Sequence, residues 1–302
     1  MRVAVTGSGG RLGRAIIAAL GERSTSAAFE AVPWTRADFD LDAPEGIGEL
    51  LDASGAELVA HAAAWTDVDA CALDPDLARR RNADATGVLA GACAGRGISL
   101  VLISTNEVFD GTRSGGDGYL PEDRPTAANP YGASKLAAER AAADAYDRPG
   151  ARGALGIVRT AWLFGPGKPD FPRKIIAAAE RASTTGGPLR VVGDEIGTPS
   201  YTPDIAGGIV DLLQARTFAG IHHLVNAGTA SRAAWARDVL DRMGSAAQVV
   251  EVSLAEFPRP SRPPRWGVLA SEVLPSGSRL RDWRAAMAAY TPTLIRTEGA
   301  IP

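Results

Sequence analysis

Along the first half of the chain, short apolar runs alternate with longer stretches of helical periodicity. Val3-Ala4-Val5-Thr6 has the pattern of a strand, and residues 15–20 continue as a helix. Further strands are predicted at residues 28–34, 58–62 and 98–103, the last aliphatic apart from Ser99. Such nearly unbroken runs suit strands covered on both faces of a parallel sheet. Residues 69–90 and 136–145 read as helices. The alternation predicts an α/β fold built on a Rossmann-type doubly wound parallel sheet. Past Gly165 the rhythm weakens to a helix at 171–182, a strand at 189–192, a helix at 203–214 and a short strand at Leu224-Val225.

Between the first strand and the first helix lies Gly7-Ser8-Gly9-Gly10-Arg11-Leu12-Gly13. Glycines there let the backbone turn tightly and approach a pyrophosphate, whose charge meets the free N–H groups of the helix start. The spacing is Gly7-x-x-Gly10-x-x-Gly13, with Leu12 where G-x-G-x-x-G would require glycine. The strand-turn-helix context supports nucleotide binding. Residues 1–165 are therefore expected to form an NAD(P)-binding Rossmann domain to which later segments return, and residues 166–302 mainly a smaller C-terminal substrate-binding lobe. The second strand ends at Thr35-Arg36, where an arginine suits a ribose 2′-phosphate and an acid would suit the bare hydroxyl. Arg11 is a second candidate for that phosphate. The expected cofactor is NADPH, with NADH as the alternative; Asp42 either faces the adenine or is a solvated loop acid. Ala62, Ala63 and Ala64 end the third strand with side chains small enough to lie against a nicotinamide ribose. Asn82, on the following helix, either braces the active-site backbone or faces solvent.

The fourth strand runs into Ser104-Thr105-Asn106-Glu107, at the C-terminal end of a central strand, where open α/β folds bind ligands. Thr105 is the candidate to hydrogen-bond a substrate carbonyl, with Ser104 second. After a Gly/Pro/Asp-rich loop, Tyr131 and Lys135 lie four residues apart on one helical face. An ammonium beneath a phenol lowers its pKa from about 10 and lets it protonate a nascent alkoxide near neutral pH. Glu139, one turn on, reads as a helix-surface acid. Arg262, Arg265 and Trp266 occupy a Pro-rich loop, where they either meet a diphosphate and a base or are solvated.

Composition narrows the field. The chain has 302 residues, 45% hydrophobic and 22% charged, with a net charge of -3 and interspersed signs, which argues against nucleic acid as a partner. Cys71 and Cys93 are the only cysteines, too few for a disulfide scaffold or four-thiolate metal site, and they fit a reducing compartment. His222 and His223 have no cysteine or acid cluster beside them, so no metal is expected. A strand starting at residue 3 leaves no room for a signal peptide, and no run of 18 apolar residues suggests a membrane span. A cytoplasmic protein is expected.

These motifs resemble those of extended short-chain dehydrogenases/reductases, and among them the dTDP-4-dehydrorhamnose reductase family. The resemblance rests on the glycine loop, His61-Ala62-Ala63-Ala64-Trp65-Thr66, Ile103-Ser104-Thr105 with Val108-Phe109-Asp110-Gly111, and Tyr131-Gly132-Ala133-Ser134-Lys135. It continues through Arg159-Thr160-Ala161-Trp162-Leu163-Phe164-Gly165 and Asp282-Trp283-Arg284. It implies reduction of the 4-keto group of a nucleotide-linked 6-deoxyhexose, with Thr105, Tyr131 and Lys135 catalytic and Lys135 also on the nicotinamide ribose. Ser104, Asn106, Glu107, Trp162, Arg262 and Arg265 are the substrate-side candidates, and a homodimer is compatible with it. An epimerase or dehydratase of the same superfamily is the alternative, and a non-catalytic binding subunit a more remote one. Two departures stand out. The family pattern has Asp-Tyr where this chain has Asn106-Glu107, and Asp-Gln where it has Asp194-Glu195. The first changes shape and charge at the sugar pocket, and both point to a substrate other than the plain rhamnose precursor.

Overall fold

The computed structural model describes residues 1–22, 29–113 and 116–298. In chain order the first elements are β1 (Arg2–Thr6), α1 (Arg11–Glu22), β2 (Glu30–Trp34), α2 (Ile47–Ser54), β3 (Leu58–His61), α3 (Val68–Leu73) and α4 (Pro75–Arg79). A π-helical turn, Arg80–Asp84, leads into α5 (Ala85–Arg96), β4 (Ser99–Thr105), α6 (Pro130–Tyr146), β5 (Leu155–Thr160) and β6 (Leu163–Phe164). There follow α7 (Phe171–Thr185), β7 (Leu189–Val192), β8 (Ile196–Gly197), β9 (Ser200–Tyr201), α8 (Thr202–Ala215) and β10 (Gly220–His223). The last are β11 (Ala230–Ser231), α9 (Arg232–Arg242), β12 (Val249–Val252) and α10 (Trp283–Glu298).

Six strands form one sheet in the order β10-β5-β4-β3-β1-β2, every pair parallel. Successive side chains divide between its faces. Val3, Val5, Leu58, Ala60, Val101, Ile103 and Val158 pack under α1 and α8. Ala4, Val59, Leu100, Leu102 and Ile157 pack against Leu51, Leu89, Ala138 and Ala142 of α2, α5 and α6. Strand order reverses between β1 and β3, so a crevice opens there at the carboxyl ends. A separate core of Phe164, Tyr201, Trp235, Trp283, Met287 and Tyr290 holds together the smaller body made by α7, α9 and α10. Helix α8 and strand β10, although distant in sequence, belong to the sheet layers.

Three local features differ from the pattern-based expectation. The helix predicted over 69–90 is interrupted, because Pro75 offers no N–H and the Asp74 side chain caps a new helix at the Leu77 amide (2.9 Å). The strand expected at Leu224-Val225 lies just before it, at Gly220–His223. Glu139 is not a surface acid. It lies buried against Arg159 of β5, whose Nε and Nη2 donate to it at 3.0 and 2.7 Å, and it also accepts from Ser104 of β4. Arg159 is itself only 1% exposed, so the sheet demands an acid from the helix above it.

Removing that acid would strand a buried guanidinium. Glu139→Ala is expected to lose about 3–5 kcal/mol of unfolding free energy, read from the urea midpoint, with Glu139→Gln losing less.

Candidate active site

The glycine loop packs without room for side chains. At Gly7, with φ +62°, a Cβ would sit 2.9 Å from the Ala63 backbone, and at Gly13 one would come within 2.3 Å of the Gly7 carbonyl oxygen. Beside this loop lies a cavity of about 370 Å³ walled by Gly7, Gly10, Arg36, Asp42, Ala62, Ala63, Ala64, Trp65 and Arg81. Asp42 accepts two hydrogen bonds from Arg81, at 2.6 and 2.8 Å, and one from Arg36 at 3.0 Å. The Arg81 bonds, aided by the charge of Arg36, hold its carboxyl below the usual range. Arg36 remains 75% exposed at the cavity rim. Asp42 is thus an ion-paired wall residue. Arg11 departs from expectation: its Nη2 donates to the carbonyls of Lys168 (2.8 Å) and Pro169 (3.1 Å). It holds a segment of backbone rather than joining Arg36 at a phosphate.

The floor of the cleft is fixed by a buried polar chain. His61 meets Thr6 Oγ1 at 2.8 Å and Thr86 Oγ1 at 3.1 Å, and Thr6 Oγ1 accepts the Ala63 N–H. Burial, then the charge of Lys135, pushes the His61 pKa down to about 3, so it stays neutral. Asn82 braces the active-site backbone, the first of its two sequence readings. Its Oδ1 accepts from the Trp65 N–H (2.7 Å), and its Nδ2 donates to the Trp65 carbonyl (3.0 Å) and to Ser134 Oγ (2.9 Å). It ties the alanine segment to α6.

A second cavity, about 580 Å³, continues from the first and holds Ser104, Thr105, Asn106, Glu107, Tyr131, Lys135, Trp162, Leu12, Gly13 and Arg232 in its walls. Helix α6 begins here because Asn129 Oδ1 accepts from the Gly132 N–H (2.8 Å) and Pro130 fills the first turn. That start places Tyr131 in the cavity wall with Thr105, whose Oγ1 donates to Asn106 Oδ1 at 3.3 Å and accepts the Glu107 N–H at 3.2 Å. Tyr131 does not have the lowered pKa expected from its lysine. Burial raises it, the Glu107 carboxylate raises it further, and the nearby Thr105 hydroxyl opposes both. Lys135 shifts instead: burial, opposed by Glu139, brings it down to about 8. The pair is poised as a neutral phenol beside an ammonium.

The sugar-side candidates divide. Ser104 faces the cavity but spends its hydroxyl on Glu139, and Asn106 donates to the Gly267 carbonyl (3.1 Å), pinning the 261–267 loop to the strand end. Arg262 and Arg265 are not among the described cavity-lining residues. The first contributes its carbonyl to Asn129, and the second pairs with Asp194 while 67% exposed. Arg232, which sequence reasoning missed, does line the cavity, as does Arg11. Buried Glu195 accepts from its Nε (3.1 Å) and Nη2 (2.8 Å), and its guanidinium lies 3.5 Å over the Trp162 ring. Trp162 is held at φ +42°, a left-handed backbone that costs a bulky residue roughly 1–2 kcal/mol. Glu107 is half-buried; Asn129 Nδ2 donates to its Oε2 at 2.6 Å. Loss of hydration pushes its carboxyl up, against that bond and the charges of Arg232 and Arg259, with Glu195 adding to the rise.

Comparison with known proteins agrees with this geometry. Residues 1–295 match the RmlD substrate binding domain family. The chain belongs to the RmlD family of dTDP-4-dehydrorhamnose reductases. Among its RmlD relatives, dTDP-4-dehydrorhamnose reductase of Mycobacterium tuberculosis is 33% identical over 294 residues, covering 95% of this chain and 91% of the relative. A probable dTDP-4,6-dihydroxy-2-methyloxan-3-one 4-ketoreductase of Streptomyces antibioticus is 32% identical over 305 residues, covering 99% and 97%. The crystal structure of the Bacillus anthracis dTDP-4-dehydrorhamnose reductase in complex with NADP superposes with a TM-score of 0.84 at 26% identity, covering 97% of this chain and 99% of that one. No helix among the described residues is long and apolar enough to cross a membrane, and no group of three or more His, Cys, Asp or Glu among them would hold a metal ion.

Because Lys135 carries its charge only below about pH 8, kcat/KM for ketone reduction is expected to fall as pH rises through that value. A pH–rate profile flat to pH 10 would remove Lys135 from the rate-determining machinery.

Proposed function

We propose that this protein reduces the 4-keto group of a dTDP-linked 6-deoxyhexose with a nicotinamide cofactor, NADPH in preference to NADH. The observation that carries this reading is the convergence of Thr105, Tyr131 and Lys135 on one cavity that runs on into the glycine-loop cleft. The cleft fits the cofactor, since the Gly7 and Gly13 packing leaves bare backbone where a pyrophosphate must approach. Arg36 and Arg81 at the adenosine end favour a 2′-phosphate, and NADP is the cofactor in the Bacillus anthracis relative.

When bound, the cofactor supplies a hydride to the carbonyl carbon. Thr105 Oγ1 orients the ketone oxygen beside the Tyr131 hydroxyl. Tyr131, neutral at rest because of its burial, delivers its proton to that oxygen as negative charge builds there. The Lys135 ammonium steadies the phenolate left behind. Hydride and proton together complete the alcohol. Asn82 and Asn129 act on the reaction only by fixing the backbone that carries these groups.

Glu107, Trp162 and Arg232 form the sugar end of the cavity. A carboxylate in place of the family's tyrosine supports a ring substituted differently beside the ketone, and the Streptomyces antibioticus relative is named for another dTDP-linked ketone.

Two variants test the reading on a panel of dTDP-linked 4-ketosugars, followed by NADPH oxidation. Tyr131→Phe is expected to keep the fold and cofactor affinity while turnover drops by about 10²–10⁴; near-normal turnover would assign the proton to another group. Glu107→Tyr is expected to shift activity towards dTDP-4-dehydrorhamnose. If the unmodified protein already favours that substrate and the variant behaves identically, Glu107 does not select the sugar.

A further inference from the structure

The two cavities meet along a narrow boundary whose walls they share: Gly10, Ala62, Ala64 and Lys168. A dinucleotide with its adenosine in the first cavity and its nicotinamide beside Tyr131 must cross that boundary with its pyrophosphate. On one side the crossing is lined by the glycine loop, where the amides preceding Arg14 have no intrahelical partner. On the other side stands Lys168.

The segment that carries Lys168 is held over the cleft from both ends. Arg11 Nη2 takes the carbonyls of Lys168 and Pro169, at 2.8 and 3.1 Å, and Arg11 Nη1 reaches the Leu163 carbonyl at 3.4 Å. Gly165 donates its N–H to Asp170 (2.9 Å), and its carbonyl accepts from the Tyr290 hydroxyl (3.1 Å). Gly165 and Gly167 have φ of +138° and +124°, so the chain folds back here in a form that side chains oppose. The backbone is thereby fixed while the lysine side chain is left exposed.

The other cations in these walls are already committed. Arg36 and Arg81 are paired with Asp42, Arg232 with Glu195, and Arg11 with backbone carbonyls. Lys135 lies buried beside Tyr131. The Lys168 ammonium pairs with no carboxylate among the described residues. We propose that Lys168 is a cofactor-binding residue whose ammonium closes over the dinucleotide's pyrophosphate, opposite the glycine loop, on a segment that Arg11 presents. Arg11 thereby acts on the cofactor as a positioning residue, at a site different from the 2′-phosphate. This rests on the reading of the protein as a nicotinamide-dependent reductase.

The test is equilibrium binding to the full chain, by calorimetry, of NADPH, ADP-ribose and 2′-AMP. ADP-ribose keeps the pyrophosphate and lacks the nicotinamide; 2′-AMP has the 2′-phosphate and no pyrophosphate. Lys168→Gln is expected to raise the Kd of NADPH and of ADP-ribose about tenfold, equivalent to about 1.4 kcal/mol, and to leave 2′-AMP unchanged. Lys168→Arg, which retains the charge, is expected to stay within about twofold of the unmodified protein. Unchanged NADPH and ADP-ribose binding in Lys168→Gln overturns the proposal. So does an equal loss for 2′-AMP, which would move the ammonium to the adenosine end, or an equal loss in Lys168→Arg, which would make the segment's shape the cause. Failure of the unmodified protein to bind NADPH at all would instead overturn the reductase reading.

Discussion

A buried ion pair joins the three elements on which the chemistry depends. Glu139 descends from α6, Arg159 rises from β5, and Ser104 of β4 adds a third bond to the same carboxylate. Both charges are almost wholly removed from water, a situation that is tolerable only when the geometry is well satisfied. Tyr131 and Lys135 sit on the helix that Glu139 anchors, and Thr105 follows Ser104 on the strand. The distance between phenol and threonine is therefore set by an ion pair that never touches a substrate. Phe109, 5.2 Å beneath the Arg159 guanidinium, closes the pair from the loop side.

Desolvation dominates the site's proton chemistry. Placing an ammonium near a phenol in water would favour the phenolate, but here the phenol has lost its hydration and a carboxylate stands near it. The result is a tyrosine that keeps its proton and a lysine whose own charge is weakened. For a reductase this is the useful arrangement, because the acid must be protonated before the hydride arrives. Glu107 belongs to the same electrostatic unit: it raises the tyrosine's pKa and, through Asn129, touches the cap of the helix that carries it.

Strands β1 to β4 were legible in the sequence, most clearly where the run is aliphatic as in β1, β3 and β4, and the glycine loop because tight backbone packing excludes other residues. Strand β5, interrupted by Gly156 and Arg159, was not read as a strand, and β10, with its two histidines, was placed just past its position. The trio proposed as catalytic was legible for a related reason: Tyr131 and Lys135 are bound by helical spacing, and Thr105 ends a strand. Side chains whose partners lie far along the chain were not legible. Arg232 meets Glu195 and Trp162, and Arg81 meets Asp42 across 39 residues. Arg11 looked like a phosphate ligand because of its glycine neighbours, yet its partners are carbonyls more than 150 residues away. Glu139 showed only a polar position on a helix, with nothing local to say that an arginine lay beneath it. Arg262 and Arg265 were chosen for a loop's composition, and the loop turns those side chains outward. The Asp74-Pro75 break was readable and was overridden by the surrounding periodicity.

Tyr290 gives the cofactor cleft a dependence on the order of synthesis. Its hydroxyl holds the Gly165 carbonyl, and its ring lies in the core of the smaller body with Trp235 and Trp283. Helix α10, which carries it, follows every other described element, whereas the glycine loop emerges first. A nascent chain can therefore pair its early strands and shape the floor of the cleft while the segment over the boundary between the two cavities still lacks its support. The glycine loop and the Tyr290 support are separated by nearly the whole time of translation, so the finished site depends on contacts of high sequence separation, which form late and slow folding.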